Sequence, residues 1–212
     1  MQWTLVIPLK PLARAKSRLS DTASDGLRPG LALAFAQDTV AAALACPAVK
    51  DVAVVTDDAL AGRELGALGA HIVPDEPGDG LNAALAHGAV VVRSSRPESA
   101  VAALNADLPA LRPLELARVL DSAAEFPRAF LPDAAAIGTT LLAAAPGRDL
   151  LPSFGTNSRV RHRESGAVEL GLDEVDSVRQ DVDTGDDLRA ALALGVGPRT
   201  AAMAARLLIN GL

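Results

Sequence analysis

The stretch Ser99-Ala-Val-Ala-Ala-Leu-Asn-Ala106, running on into Asp107-Leu-Pro109, decides how this chain folds. It is almost wholly apolar, too short for an ordinary helix, and stops at a carboxylate followed by Leu-Pro. Such a run reads as a strand covered on both faces, as in a parallel sheet lying between helices. The same pattern recurs upstream at Trp3–Leu9, Asp51–Thr56 and Ala70–Val73, and downstream at Ala129–Leu131 and Ile137–Ala145. Val175–Val182 reads as one further strand. Helices are expected between these runs, over 29–45, 59–68, 80–93 and 114–124, with two more over 186–194 and 198–208 near the C-terminus. Alternation of this kind predicts an α/β fold, a single-domain three-layer sandwich around a mostly parallel sheet. Residues 146–169 break the rhythm: they are polar and carry Arg148, Arg159, Arg161 and Arg163. That segment reads as an insertion over the sheet edge, inside one domain spanning 1–212.

Composition narrows the function. The 212 residues hold 20 Lys plus Arg against 26 Asp plus Glu, a net charge of −6. An acidic chain with no basic block is poorly suited to nucleic acid or to an anionic membrane surface. No apolar run approaches the ~18 residues of a spanning helix. The first sixteen residues are broken by Pro8 and Pro11 and do not read as a signal peptide. The single cysteine, Cys46, excludes an internal disulfide and favours a reducing, cytoplasmic setting. His71, His87 and His162 are too scattered for a zinc site.

In a doubly wound sheet, ligands gather beyond the carboxyl ends of the strands where strand order reverses. The loop after the first strand carries Lys10, Arg14, Lys16 and Arg18, a cation density that suits a triphosphate. It contains neither a dinucleotide-binding glycine pattern nor a P-loop. Asp57 and Asp58 follow the second strand, where a helix cap is the simpler role for Asp58. The loop after the third strand holds Glu76, Gly78, Gly80 and Asn82, groups able to meet a base or ribose, with glycines that allow close backbone approach. Asp107, alone at the end of the fourth strand, is placed to hold Mg²⁺, which needs only one or two carboxylates beside phosphate oxygens. Late in the chain, Asp181 and Asp183 are two residues apart, so either could be a second ligand. Asp183 or Thr184 could instead cap the following helix. Gly138-Thr139-Thr140 and Phe154-Gly-Thr-Asn-Ser158 offer hydroxyls and a glycine amide for an anion.

Together these motifs resemble a known family. The resemblance rests on Pro-x-Lys-Pro-x-x-x-Ala-Lys-Ser-Arg-Leu at the N-terminus, Gly-Leu-Asn-Ala-Ala-Leu from Gly80, and Ala-Asp-Leu-Pro-Ala-Leu from Ala106. Gly-Thr-Thr-Leu-Leu from Gly138, Phe-Gly-x-x-Ser from Phe154, Arg-His-Arg from Arg161 and Asp-Val-Asp-Thr from Asp181 complete it. The chain looks like a guanylyltransferase of coenzyme F420 biosynthesis, the phosphoenolpyruvate or 2-phospho-L-lactate guanylyltransferases. The resemblance implies a glycosyltransferase-A-like nucleotidyltransferase fold and transfer of GMP from GTP to a small phosphoacid, phosphoenolpyruvate being favoured. It implies Thr139, Gly155 and Ser158 at the phosphoacid, Thr140 being the alternative register. It further implies Mg²⁺ on Asp107 and Asp183, and Lys16 and Arg18 on the reacting phosphates. Lys10, Glu76, Gly80 and Asn82 would face the nucleotide, and a downstream transferase of the same pathway is a possible partner. One departure stands out: Ala136-Ile137 replaces a Gly-Thr pair common in the family. A transferase for another nucleotide, 3-phosphoglycerate as acceptor, and a non-catalytic module of the same fold are the rival readings. Asn105-Ala-Asp107 lacks the Asp-x-Asp usual in sugar transferases.

Overall fold

A computed structural model describes residues 1–16, 19 and 26–210. Among them, seven strands form one sheet: β1 (Trp3–Pro8), β2 (Val49–Val55), β3 (His71–Val73), β4 (Ala100–Leu104), β5 (Arg128–Pro132), β6 (Thr139–Ala144) and β7 (Val168–Glu169). Eight α-helices accompany them: α1 (Arg28–Leu44), α2 (Ala59–Gly66), α3 (Leu81–Ser95), α4 (Pro113–Ala123), α5 (Ser158–Glu164), α6 (Asp176–Arg179), α7 (Gly185–Leu194) and α8 (Pro198–Asn210). The spatial order is β3-β2-β1-β4-β6-β5-β7. The first three crossovers make β1 parallel to β2 and β4, and β2 parallel to β3.

The apolar runs alternate between two cores, as the two-residue period of a strand requires. Trp3, Leu5 and Ile7 of β1, with Val52 and Val54 of β2 and Leu104 of β4, face the side covered by α1, α2 and α4. Val6, Ala53, Val55, Val101 and Ala103 face the other side, covered by α3 and by Leu150, Phe154 and Ala167. The result is the expected three-layer sandwich. Residues 146–169 lie over the second face and supply β7 at the sheet edge. At Gly88, α3 comes so close to the sheet that a Cβ would stand 2.6 Å from Val6 Cγ1 and 2.7 Å from Val55 Cγ2. Gly88→Ala is expected to destabilise the fold by about 1–3 kcal/mol, since a packed core resists an extra methyl. A calorimetric melting temperature equal to wild type would show that the helix shifts freely.

The sheet is mostly parallel, as expected, with β6 running antiparallel to β4 and β5. The 133–138 connection is too short for a crossover helix, so β5 and β6 pair as a hairpin. One expectation is corrected: the strand expected over 175–182 is instead the short helix α6 with irregular flanks. Its polar groups bind α4 rather than a sheet neighbour: Ser177 N donates to Glu115 Oε2 at 2.9 Å, and Ser177 Oγ accepts from Arg112 N at 3.0 Å.

Candidate active site

The chain steps from β1 to β2 to β3 in one direction, then returns to place β4 on the other side of β1. At that reversal the loops after β1 and β4 diverge and leave a crevice. It is a cavity of about 640 Å³ whose lining includes Lys10, Arg14, Lys16, Asp107, Asp133, Thr139, Gly155, Ser158, Asp181 and Asp183. Residues far apart in sequence therefore share one space. Glu76 and Gly80 lie outside that lining, on the exposed loop after β3. Arg18 lies outside the described residues.

Lys16 is the electrostatic centre. Its backbone takes φ +57°, a left-handed conformation uncommon for a side chain larger than glycine's. From there the ammonium pairs with Asp107 Oδ2 and, at 3.1 Å, with Asp183 Oδ1. Burial alone would lower its pKa, but the carboxylates of Asp107 and Asp183 outweigh burial and hold it above the ordinary lysine value. The group is thus an ammonium throughout the physiological range.

Asp107 is placed by its neighbours. Leu108 N donates to Thr39 Oγ1 on α1 at 3.0 Å, and Val182 N donates to Asp107 O at 3.0 Å. The second contact straps the 181–183 segment beside the β4 loop and brings both of its aspartates to the cavity. Thr184, not Asp183, caps α7, in a reciprocal capping box with Asp187. Asp183 is left to face Lys16. Asp181 is pushed up to about 8, chiefly by burial and then by the carboxylates of Asp107, Asp183 and Asp133, with Lys16 opposing. Its Oδ2 accepts from Asn105 Nδ2 at 3.3 Å.

No metal is needed to see what this donor set suits. Several carboxylates share one ammonium, and Asp107 Oδ1 is buried without a partner among the described residues. Hard carboxylate oxygens in excess of positive charge fit a divalent cation such as Mg²⁺ or Mn²⁺. Asp107 and Asp183 could hold it.

The opposite wall is built from β6 and the 153–158 loop. Between β5 and β6 the register shifts, from Leu131 opposite Leu141 to Pro132 opposite Thr139, so Thr140 is an extra, bulged residue. Thr139 lines the cavity, whereas Thr140 is fully buried and outside the lining. Asp133 ties the hairpin loop, accepting from Ile137 N at 2.9 Å and Gly138 N at 2.8 Å. Ala136 in that loop has φ +57°, which explains why glycine suits this position. Gly155 has φ +112°, and Ser158 begins α5 with its side chain buried.

Asn82 plays a structural part: its amide donates to Phe154 O at 3.1 Å and accepts from Phe154 N at 2.7 Å. It joins α3 to the 153–158 loop, with both ends of its amide already engaged. Asp58 caps α2 and also accepts from Leu12 N at 2.8 Å, anchoring the basic loop. Asp133 and the partners of His162 escaped the sequence reading. A carboxylate after a strand-ending proline was the signal available for Asp133; His162 offered only its place between two arginines.

A family model described as guanylyl transferase CofC like matches residues 3–209. The chain belongs to this family. It is a nucleotidyltransferase, as the sequence motifs implied. The phosphoenolpyruvate guanylyltransferase of Streptomyces coelicolor is 82% identical over 211 residues, covering 100% of both chains. Solved structures of the same fold include a nucleotidyl transferase from Methanothermobacter thermautotroptrophicus, 22% identical, with TM-score 0.64 over 91% of this chain and 97% of that one. A manganese complex of Rv0371C from Mycobacterium tuberculosis is 21% identical, with TM-score 0.55 over 91% of this chain and 99% of that one. No helix among the described residues of this CofC-like chain is long and apolar enough to cross a membrane.

Proposed function

We propose that the protein transfers GMP from GTP to the phosphate of phosphoenolpyruvate and releases pyrophosphate, a step of coenzyme F420 biosynthesis. The observation that carries this reading is the crevice itself, where a lysine bound by two aspartates faces Thr139 and Ser158. The 82% identity to a phosphoenolpyruvate guanylyltransferase favours that acceptor over 2-phospho-L-lactate or 3-phosphoglycerate.

A phosphate oxygen of the acceptor attacks the α-phosphorus of GTP, and the bond from that phosphorus to the β-phosphate bridging oxygen breaks. Both reactants are anions, so repulsion is the main obstacle. Lys16, with Lys10 and Arg14 further out, supplies positive charge along the triphosphate, and Arg18 belongs to the same loop. Thr139, Gly155 and Ser158 hold the phosphoacid on the opposite wall. Asp107 and Asp183 would hold a divalent cation, Mg²⁺ in this reading, which would supply charge neutralisation for the phosphate oxygens. Glu76 and Gly80 are assigned to the guanosine end, on the same carboxyl edge of the sheet. A phosphate dianion is already a nucleophile near neutral pH, so no general base is required, and positioning supplies much of the rate. The product would pass to a cytoplasmic transferase of the same pathway.

Pyrophosphate release with Mg²⁺ tests this reading. GTP with phosphoenolpyruvate should turn over, while ATP or CTP should not replace GTP. Because a labile product could stall the assay, the downstream transferase and its deazaflavin acceptor are included. Turnover only with 2-phospho-L-lactate would move the acceptor and keep the mechanism. Silence from folded protein with every pair would favour a non-catalytic module.

A further inference from the structure

His162 is fully buried behind the phosphoacid wall, with no carboxylate among its hydrogen-bond partners. Its ring lies between Phe130 and Phe154, at centroid distances of 5.7 Å and 5.0 Å. Both ring nitrogens are engaged. The backbone N–H of Ser153 donates to Nε2 at 2.9 Å. Nε2 must therefore present its lone pair, and in a neutral ring the proton sits on Nδ1. Burial, helped by Arg128 and Arg161, holds the His162 pKa down to about 4, so the ring is neutral in the working range.

Nδ1 stands 2.9 Å from Thr139 Oγ1. With the proton on Nδ1, the histidine donates and the threonine oxygen accepts. A hydroxyl has one hydrogen of its own, and here it cannot point back at His162. Thr139 is 4% exposed, and what it exposes lines the cavity. We infer that His162 is a positioning residue: it fixes the Thr139 hydroxyl as a donor directed into the cavity, toward an anionic oxygen of the acceptor phosphoacid. The Ser153 amide sets the tautomer, the tautomer sets the direction of the Thr139 bond, and that direction leaves a donor for the anion. Through its two ring nitrogens His162 also links Ser153 of the 153–158 loop to Thr139 of β6, so both parts of the phosphoacid wall are held together. This inference rests on the placement of the phosphoacid at Thr139 proposed above.

The test combines kinetics with spectroscopy. His162→Leu keeps the bulk and removes the Nδ1 donor. It should raise KM for phosphoenolpyruvate by about tenfold to a hundredfold, the range expected for a lost hydrogen bond to a charged group. KM for GTP should stay within about threefold. His162→Asn, whose amide nitrogen lies near the position of Nδ1, should recover most of the loss and serves as the second variant if His162→Leu folds poorly. In a Thr139→Val background, His162→Leu should add little, because the hydroxyl it orients is gone. Independently of turnover, the ring nitrogen-15 shifts of wild-type protein should report a proton on Nδ1 and none on Nε2. A proton on Nε2, equal rises in KM for both substrates, or multiplicative effects in the double variant would overturn the inference. Wild-type silence with GTP and phosphoenolpyruvate would remove the phosphoacid site and the inference with it. That outcome is distinct from an active wild type that tolerates His162→Leu.

Discussion

Asp107→Asn is expected to leave a folded protein that scarcely turns over. The substitution keeps the shape and the backbone contacts from Leu108 to Thr39 and from Val182 to Asp107, which do not involve the carboxylate. What it removes is the charge at the end of β4. If Asp107 is a ligand of the divalent cation, several kcal/mol of stabilisation of the reacting phosphates goes with it, a loss in kcat of about 10²–10³-fold. The measurement is pyrophosphate release at saturating GTP and phosphoenolpyruvate, beside a thermal melt. A folded variant within tenfold of wild type would sink the metal role. Raising the Mg²⁺ concentration should recover part of the loss if Asp183 still binds the cation, and none if Asp107 acts only by fixing Lys16.

Removing the partner charge gives the second large effect. Lys16→Met preserves length and apolar stem but deletes the ammonium between Asp107 and Asp183. We expect kcat to fall by about 10²-fold or more, as when a preorganised charge at a developing anion is lost. Stability without metal should also drop, because the carboxylates of Asp107 and Asp183 are left to repel one another. Breaking a fully buried pair costs about 3–5 kcal/mol; with Asp183 half-exposed, about 2 kcal/mol is the reasonable figure. Millimolar Mg²⁺ should restore the melting temperature of Lys16→Met more than that of wild type, since a bound cation stabilises the folded state. It should not restore turnover if the ammonium also serves the triphosphate, as proposed. Unchanged kcat would demote Lys16 to a spacer that holds the aspartates apart.

The two variants probe opposite signs of one cluster, so their effects should not add. Once Asp107 is neutral, Lys16 has lost its closest partner, and the double variant should be only slightly worse than the poorer single one.

Much of this was legible in the sequence. Strand and helix periods are written in neighbouring residues, so the three-layer sandwich followed from runs such as Trp3–Leu9 and Ser99–Ala106. A carboxylate where a core strand ends, beside a cation-rich loop, was enough to single out Asp107 and the loop that carries Lys16; the family resemblance picked out Lys16 itself. A helix start at Asp183 or Thr184 was legible in the residue types, and the structure decides for Thr184, in a capping box with Asp187.

Only the tertiary structure decided the rest, because it depends on contacts between residues distant in sequence. The antiparallel insertion of β6 between β4 and β5 is a matter of pairing, to which the apolar pattern is indifferent. One bulged residue, Thr140, changes the aim of Thr139, and a two-residue period cannot foretell where it will be interrupted. Lys16 meets Asp107 and Asp183 across 91 and 167 residues of chain, a distance over which local patterns carry no information. His162 read as one base among arginines until folding set it behind Thr139, with a backbone amide choosing its tautomer. Local sequence determined most of the elements and the chemistry they carry, because both rest on neighbouring residues; long-range packing decided the pairing of β6, the helix at 176–179 and which way the site groups point.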